Sequence, residues 1–205
     1  MELLIASGNP KKLVEIELFL SGTGVEVLSP ADVGGIEDVV EDRPTFEANA
    51  VKKACAAAAA AGKWTLADDS GLEVDHLKGA PGIHSARYSG THGDDAANNQ
   101  RLLMELQGVK GAERSARFFC ALALARPDGE LEATFEGSVY GQILEERVGT
   151  NDFGYDPFFL FTEEGHQQTG RGFAELEPKE KSEVSHRGRA LTALREYLMA
   201  TTQKA

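Results

Sequence analysis

Over the first third of the chain, short apolar runs alternate with stretches of helical length, and few folds accept that order. Leu3-Leu4-Ile5-Ala6 ends at the turn residues Ser7-Gly8-Asn9-Pro10. A helix is expected next, with Asn9 as N-cap and Pro10 at the first helical position, where its missing N–H costs nothing. Leu13, Ile16 and Leu20 then recur at helical spacing, and Gly22 and Gly24 mark the end. Val25 to Leu28 reads as a second strand. After the polar bend Glu41-Asp42-Arg43-Pro44, a helix is expected over about 45–61. Its alanine run favours helix and permits close packing, and Gly62 is a natural stop. Trp64 to Ala67 reads as the next strand and Leu72 to Asp75 as a separate one, so that Asp68-Asp69-Ser70-Gly71 falls at a strand end.

Further on, residues 79–93 read as a loop, and Asp94 can cap a helix reaching about Leu106. Phe118 to Ala125 reads as a buried strand, turned by Pro127-Asp128-Gly129 into a strand at Leu131 to Phe135, with another near Val139 to Leu144. The last helix is expected to start near Ser185, with Leu191, Leu194 and Leu198 on one face. Early alternation followed by hairpins implies a mixed, mostly α/β sheet flanked by helices. The 205 residues show no internal repeat and no linker, which suits one domain over 1–205.

Composition narrows the function. A formal net charge of −12 repels nucleic acid and anionic lipid, so a general nucleic-acid-binding role is disfavoured. Small polyanions are still accepted where lysines and a divalent metal gather locally. No apolar stretch approaches the roughly 18 residues of a membrane span. The N-terminus MELLIASGNPKK reads as neither a signal nor a transit peptide. Cys55 and Cys120 lack metal-ligand spacing and read as small core residues. A reducing cytoplasm fits.

Several segments carry residues with chemical potential, and each has a bland alternative. Ser7-Gly8-Asn9-Pro10-Lys11-Lys12 joins a strand to a helix N-terminus, a geometry that suits phosphate, or is an ordinary capped turn with solvated lysines. The Walker spacing is absent. Asn49 and Lys53 share a helix face that points either into a cleft or into water, while Lys52 reads as solvated. Glu41 and the pair Asp68-Asp69 offer oxygen ligands for Mg²⁺; Asp-Asp-Ser-Gly also reads as an Asx-type turn. Phe153-Gly154-Tyr155-Asp156-Pro157 is either a plain turn or a stacking face with an acceptor for a ring N–H. Lys181, His186 and Arg187 read as opening the final helix, where positive charge opposes the macrodipole unless an anion or a carbonyl meets it, or Glu183 neutralises it.

Taken together and in order, these stretches resemble the inosine triphosphate pyrophosphatase (Ham1-like) family. The matching residues are Ser7-x-Asn9-x-x-Lys12-x-x-Glu15, Glu41 with Thr45-Phe46-Glu47-Ala48-Asn49-Ala50, Ala67-Asp68-Asp69-Ser70-Gly71-Leu72, Gly79-Ala80-Pro81-Gly82-Ile83-His84-Ser85-Ala86-Arg87-Tyr88, Phe153-Gly154-Tyr155-Asp156-Pro157 and Ser185-His186-Arg187-Gly188. Position 7 is serine where many relatives carry threonine, which keeps the hydroxyl. Position 48 is alanine where some carry glutamate, so no metal role is assigned there.

The resemblance implies a twisted mixed β-sheet flanked by helices, in two lobes around a nucleotide groove. It also implies Mg²⁺ dependence, a homodimer, and hydrolysis of dITP, ITP and XTP to monophosphate and pyrophosphate. Carried over residue by residue, it makes Asp69 the catalytic base, Glu41 and Asp69 metal ligands, and Asp68 a weaker candidate. Ser7, Gly8, Asn9, Pro10, Lys11, Lys12 and Lys53 would meet phosphates. Ser70, Phe153, Gly154, Tyr155, Asp156, Lys181, His186 and Arg187 would bind the rest of the substrate. One cation shared by Asp68 and Asp69 would relieve their repulsion. Two other readings compete: a phosphomonoesterase with an aspartyl nucleophile, and a nucleotide sensor without turnover.

Overall fold

The structure is a computed structural model that describes residues 1–202; the side chains of Pro10, Lys11 and Thr202 lie outside the described residues. Strand β1 (Glu2–Ile5) leads into helix α1 (Pro10–Leu20) and back to strand β2 (Glu26–Leu28). β1 and β2 are parallel, with Leu3 opposite Val27. Such a parallel pair needs a crossover, and α1 supplies it. Helix α2 (Phe46–Ala61) starts where Thr45 accepts a hydrogen bond from the Ala48 N–H, and it ends on Gly62 in the left-handed region at φ 62°. Strand β3 (Trp64–Val74) then pairs parallel with β1, Ile5 opposite Leu66.

β3 differs from the expectation. Residues 64–74 form one unbroken strand, so Asp68-Asp69-Ser70-Gly71 lies in its middle and is neither a turn nor a strand end. Helix α3 (Asp95–Glu105) follows, capped by the Asp94 carboxylate on the Ala97 N–H, and then strand β4 (Ser115–Ala125). The expected hairpin is present: the Arg126 N–H donates to the Glu130 carbonyl. Its second arm is again continuous, strand β5 (Leu131–Ile143), where two strands were expected. Strand β6 (Phe159–Phe161) runs antiparallel to β5 and was not foreseen. The chain ends in helices α4 (Pro178–Val184) and α5 (His186–Thr202), separated at Ser185. The sheet order is β2-β1-β3-β4-β5-β6.

The chain divides into two compact units through which β3, β4 and β5 both run. The first comprises residues 1–69, 120–136 and 190–205, and the second residues 70–119 and 137–189. In the first, Leu3, Ile5, Leu66, Leu122 and Leu124 of the strands pack with Ile16 and Leu20 of α1 and with Leu191, Leu194 and Leu198 of α5. Cys120 is buried there as a small core residue. In the second, Phe118, Phe159 and Phe173 cluster, with Phe118 and Phe159 ring centroids 4.6 Å apart. Among the described residues, no helix is long and apolar enough to cross a membrane.

Candidate active site

In the first unit the site begins at the end of β1. The Ser7 hydroxyl accepts from the Asn9 N–H at 3.2 Å, and the Leu13 N–H donates to the Asn9 carbonyl at 3.2 Å, which fixes Asn9 as the cap of α1. Gly8 is exposed, and a side-chain carbon placed on it would meet nothing within 4 Å. Pro10 and Lys11, both assigned to phosphate, have side chains outside the described residues.

Successive side chains of a strand point to opposite faces, so Asp68 and Asp69 part company, and each meets its own lysine. Asp68, almost fully buried, accepts from Lys12 Nζ at 2.8 Å. On Asp69, Oδ1 lies 3.3 Å from Lys53 Nζ, which also binds Glu41 Oε1 at 2.8 Å. In this structure two lysines, one from α1 and one from α2, meet the two carboxylates. Burial opposes the charge on Lys53, yet Asp69, Asp68 and Glu41 outweigh it and hold the ammonium above the ordinary lysine value. Burial pushes the Asp69 carboxyl above the usual aspartate range. Lys53 and Asn49 pull it back, while the charges of Glu41 and Asp68 push it further up. Oδ2 of Asp69 is buried with no hydrogen-bond partner among the described residues.

The segment carrying Glu41 is tied down by three side chains of α2. Asn49, fully buried, accepts from the Arg43 N–H at 3.0 Å and donates to the Arg43 carbonyl. Lys52, expected to be solvated, instead donates to the Val40 carbonyl and to Asp42, both at 2.8 Å. Glu41 thus gains a fixed position from a helix, although the segment itself has no regular structure.

In the second unit, Asp156 is buried and accepts a hydrogen bond from Lys181. The Lys181 ammonium lies 4.9 Å from the Phe153 ring centroid, so the aromatic face, the acid and the lysine meet at one place. Lys181 does not open the final helix. It stands in the last turn of α4, where a positive charge complements the macrodipole, and the argument from a dipole penalty does not hold for it. His186 and Arg187 do begin α5. The His186 ring stacks on Phe118 at 4.9 Å, and Arg187 donates to the Ser70 hydroxyl at 3.0 Å. Gly154 sits at φ 54°, a conformation that glycine adopts without strain. The Tyr155 hydroxyl donates to the Ser85 carbonyl at 2.8 Å. A cavity of about 390 Å³ is lined by residues 149–151 and 174–178, flanked in sequence by Phe153 and Lys181. Asp95 and Asn99, which hold Gly154, were missed by the sequence reading.

Among the assigned residues, Lys53 pairs with Glu41 and Asp69 in the first unit, where Lys12 pairs with Asp68. In the second unit Phe153, Asp156 and Lys181 meet, and His186 and Arg187 start α5. Comparison with known proteins gives this pattern a family. A model of the Ham1 family matches residues 3–197. The chain is 48% identical over 198 residues to a dITP/XTP pyrophosphatase of Desulforamulus reducens, covering 97% of this chain and 96% of that one. A solved HAM1 protein of Coxiella burnetii superposes with a TM-score of 0.87 at 36% identity, covering 98% of this chain and 99% of the other. A nucleoside-triphosphatase / dITP/XTP pyrophosphatase of Mycobacterium abscessus is 47% identical with a TM-score of 0.75, covering 95% and 98%. With a family match over nearly its whole length and relatives at this identity, the chain belongs to the Ham1 family.

Proposed function

We propose that this protein hydrolyses the non-standard purine nucleoside triphosphates dITP, ITP and XTP to the nucleoside monophosphate and pyrophosphate, by attack of water at the α-phosphorus. The substrate class is supported by the names of relatives that match almost end to end. The observation that carries the chemistry is Asp69. One of its oxygens is held by Lys53, while the other is buried and unmet. A buried acceptor left without a partner costs about 1–3 kcal/mol, which a hydrogen bond from water would recover. A carboxyl raised above its usual range is also a better proton acceptor, as a general base requires.

Among the described residues, no three acidic, histidine or cysteine side chains gather into a metal cage. Mg²⁺ does not need one. It takes one or two carboxylates and keeps waters for phosphate oxygens. Glu41 and Asp69 fit that requirement, since both reach one ammonium and Asp69 has an unmet oxygen. A Mg²⁺ ion held there would supply charge stabilisation to the phosphate oxygens. Lys53 fixes the two carboxylates relative to each other, and Asp68 anchors Lys12. Lys12, Lys53 and the free backbone N–H groups at the positive end of α1 offset the negative charge of the triphosphate. Asp69 orients the water and takes its proton as the oxygen bonds to phosphorus and pyrophosphate leaves.

Base recognition is assigned to the second set. Phe153 stacks on the purine, and Asp156 accepts from N1–H. Lys181, His186 and Arg187 donate towards the 6-keto oxygen. Adenine presents the reverse pattern, an amino group and a bare N1, and unpaired buried groups would disfavour it by several kcal/mol, roughly.

The test is product analysis after incubation with dITP, XTP, dGTP and ATP plus Mg²⁺. Monophosphate and pyrophosphate from dITP and XTP, with dGTP and ATP nearly untouched, is the expected result. Inorganic phosphate from all four would favour the aspartyl phosphatase, and no turnover would favour the sensor.

A further inference from the structure

Helix α3 contributes none of the groups assigned to the substrate, yet two of its side chains hold the segment that carries the base platform. The Gly154 N–H donates to Asp95 Oδ2 at 2.9 Å. The Gly154 carbonyl accepts from Asn99 Nδ2 at 2.8 Å, and the same amide donates to the Asp95 carbonyl at 2.8 Å. Residues four apart on a helix lie on one face, so a single face grips both polar groups of one glycine. Those two groups belong to the peptide planes on either side of Gly154. Fixing both planes fixes the left-handed turn at φ 54°, and with it the directions in which Phe153 and Tyr155 leave the backbone. The Asp156 N–H donates to the Phe153 carbonyl at 3.1 Å, which closes the turn onto the residue that pairs with Lys181.

From this arrangement we propose that Asp95 and Asn99 are positioning residues that determine specificity, setting the Phe153 ring and the Asp156 carboxylate for the purine. The proposal rests on the function argued above. The Asn99 amide has one workable orientation, because turning it over would set its oxygen against the carbonyls of Asp95 and Gly154. In that orientation Oδ1 is buried with no hydrogen-bond partner among the described residues, and Asn99 is only 9% exposed. A side chain present for stability alone is a poor explanation of an unmet buried acceptor. A side chain present to aim a turn explains it, since the donor end does the aiming. Asp95 is exposed at the start of α3, so changing it leaves the core alone.

The experiment compares Asp95→Ala, Asp95→Asn and Asn99→Asp with the unaltered enzyme, measuring kcat and KM for dITP and kcat/KM for dATP alongside the thermal unfolding midpoint. In Asp95→Ala, kcat/KM for dITP is expected to fall about tenfold, mostly through KM, and the preference for dITP over dATP to narrow by about threefold or more. Asp95→Asn keeps an acceptor oxygen for the Gly154 N–H and is expected to restore most of the preference. Asn99→Asp loses the donor and is expected to behave like Asp95→Ala. A dITP-to-dATP ratio unchanged within about twofold in folded Asp95→Ala and Asn99→Asp would overturn the proposal. If the unaltered enzyme showed no preference for dITP over dATP, the function itself would fall, and this inference with it.

Discussion

Two adjacent aspartates are costly if they share a face, and this chain avoids the cost by placing them on a strand. The alternation of β3 turns Asp68 and Asp69 to opposite faces, and a lysine from each of two helices meets them. The two carboxylates consequently do different things. Asp68 pairs with Lys12, whereas Asp69 keeps an unmet oxygen and a raised pKa. Replacing Asp69 by Asn is expected to cut dITP turnover by about 10²–10⁴-fold, the usual worth of a general base, and to leave the unfolding midpoint unchanged or raised. A steady-state assay with a parallel melt checks both. Lys12→Met removes the ammonium that meets the Asp68 carboxylate. The expected loss is about 2 kcal/mol in denaturant unfolding, less than the roughly 3–5 for a fully buried pair because Lys12 keeps part of its side chain in water. The double variant Lys12→Met, Asp68→Asn is expected to regain most of that loss. The motif residues were legible in the sequence because their types and order are specific. Their partners were not, since nothing local to Asp68 or Asp69 says which lysine will reach it.

At the scale of elements, the sequence reading identified α1, α2, α3, the Arg126–Glu130 hairpin and the long final helix, all from caps, glycine stops and apolar spacing. It split two strands that are continuous. Asp-Asp-Ser-Gly in β3 and Gly137-Ser138 in β5 carry turn-forming residues, and local propensity favoured a break. Tertiary contacts override it. Lys12 and Lys53 neutralise the acids, Arg187 bonds the Ser70 hydroxyl, and Arg189 bonds the Ser138 carbonyl at 2.7 Å. α4 was not foreseen as a helix of its own; the Ser185 hydroxyl marks its junction with α5 by accepting from the Gly188 N–H at 3.1 Å. Gly188 is constrained there, since a Cβ on it would lie 1.8 Å from the Ser182 carbonyl oxygen. Gly188→Ala is expected to destabilise by about 1–3 kcal/mol through overpacking, read from the denaturant midpoint. Because His186 and Arg187 start the same helix, the substitution is expected to raise KM for dITP as well.

At the scale of the whole molecule, each compact unit has its own core, and the assigned residues divide by chemistry between them: acids and phosphate-facing lysines in the first, base-facing groups in the second. The second unit also carries an alkaline weakness. Burial, helped by the bond to Glu105, raises the Tyr88 phenol to about 12, and burial raises Tyr155 as well. A phenol raised in the fold contributes its full stability below the unfolded value near 10 and loses it as pH rises towards about 12. Stability is therefore expected to fall across that window. The gap between the native protein and Tyr88→Phe, measured by denaturant unfolding at successive pH values, is expected to narrow there.

The central claim, that water activated at Asp69 attacks the α-phosphorus of a 6-keto purine triphosphate, is tested most directly by turnover of dITP in H₂¹⁸O with mass analysis of both products. The account predicts one ¹⁸O in the dIMP and none in the pyrophosphate. Label in pyrophosphate or in inorganic phosphate, with none in the nucleotide, would place the attack at another phosphorus and contradict it.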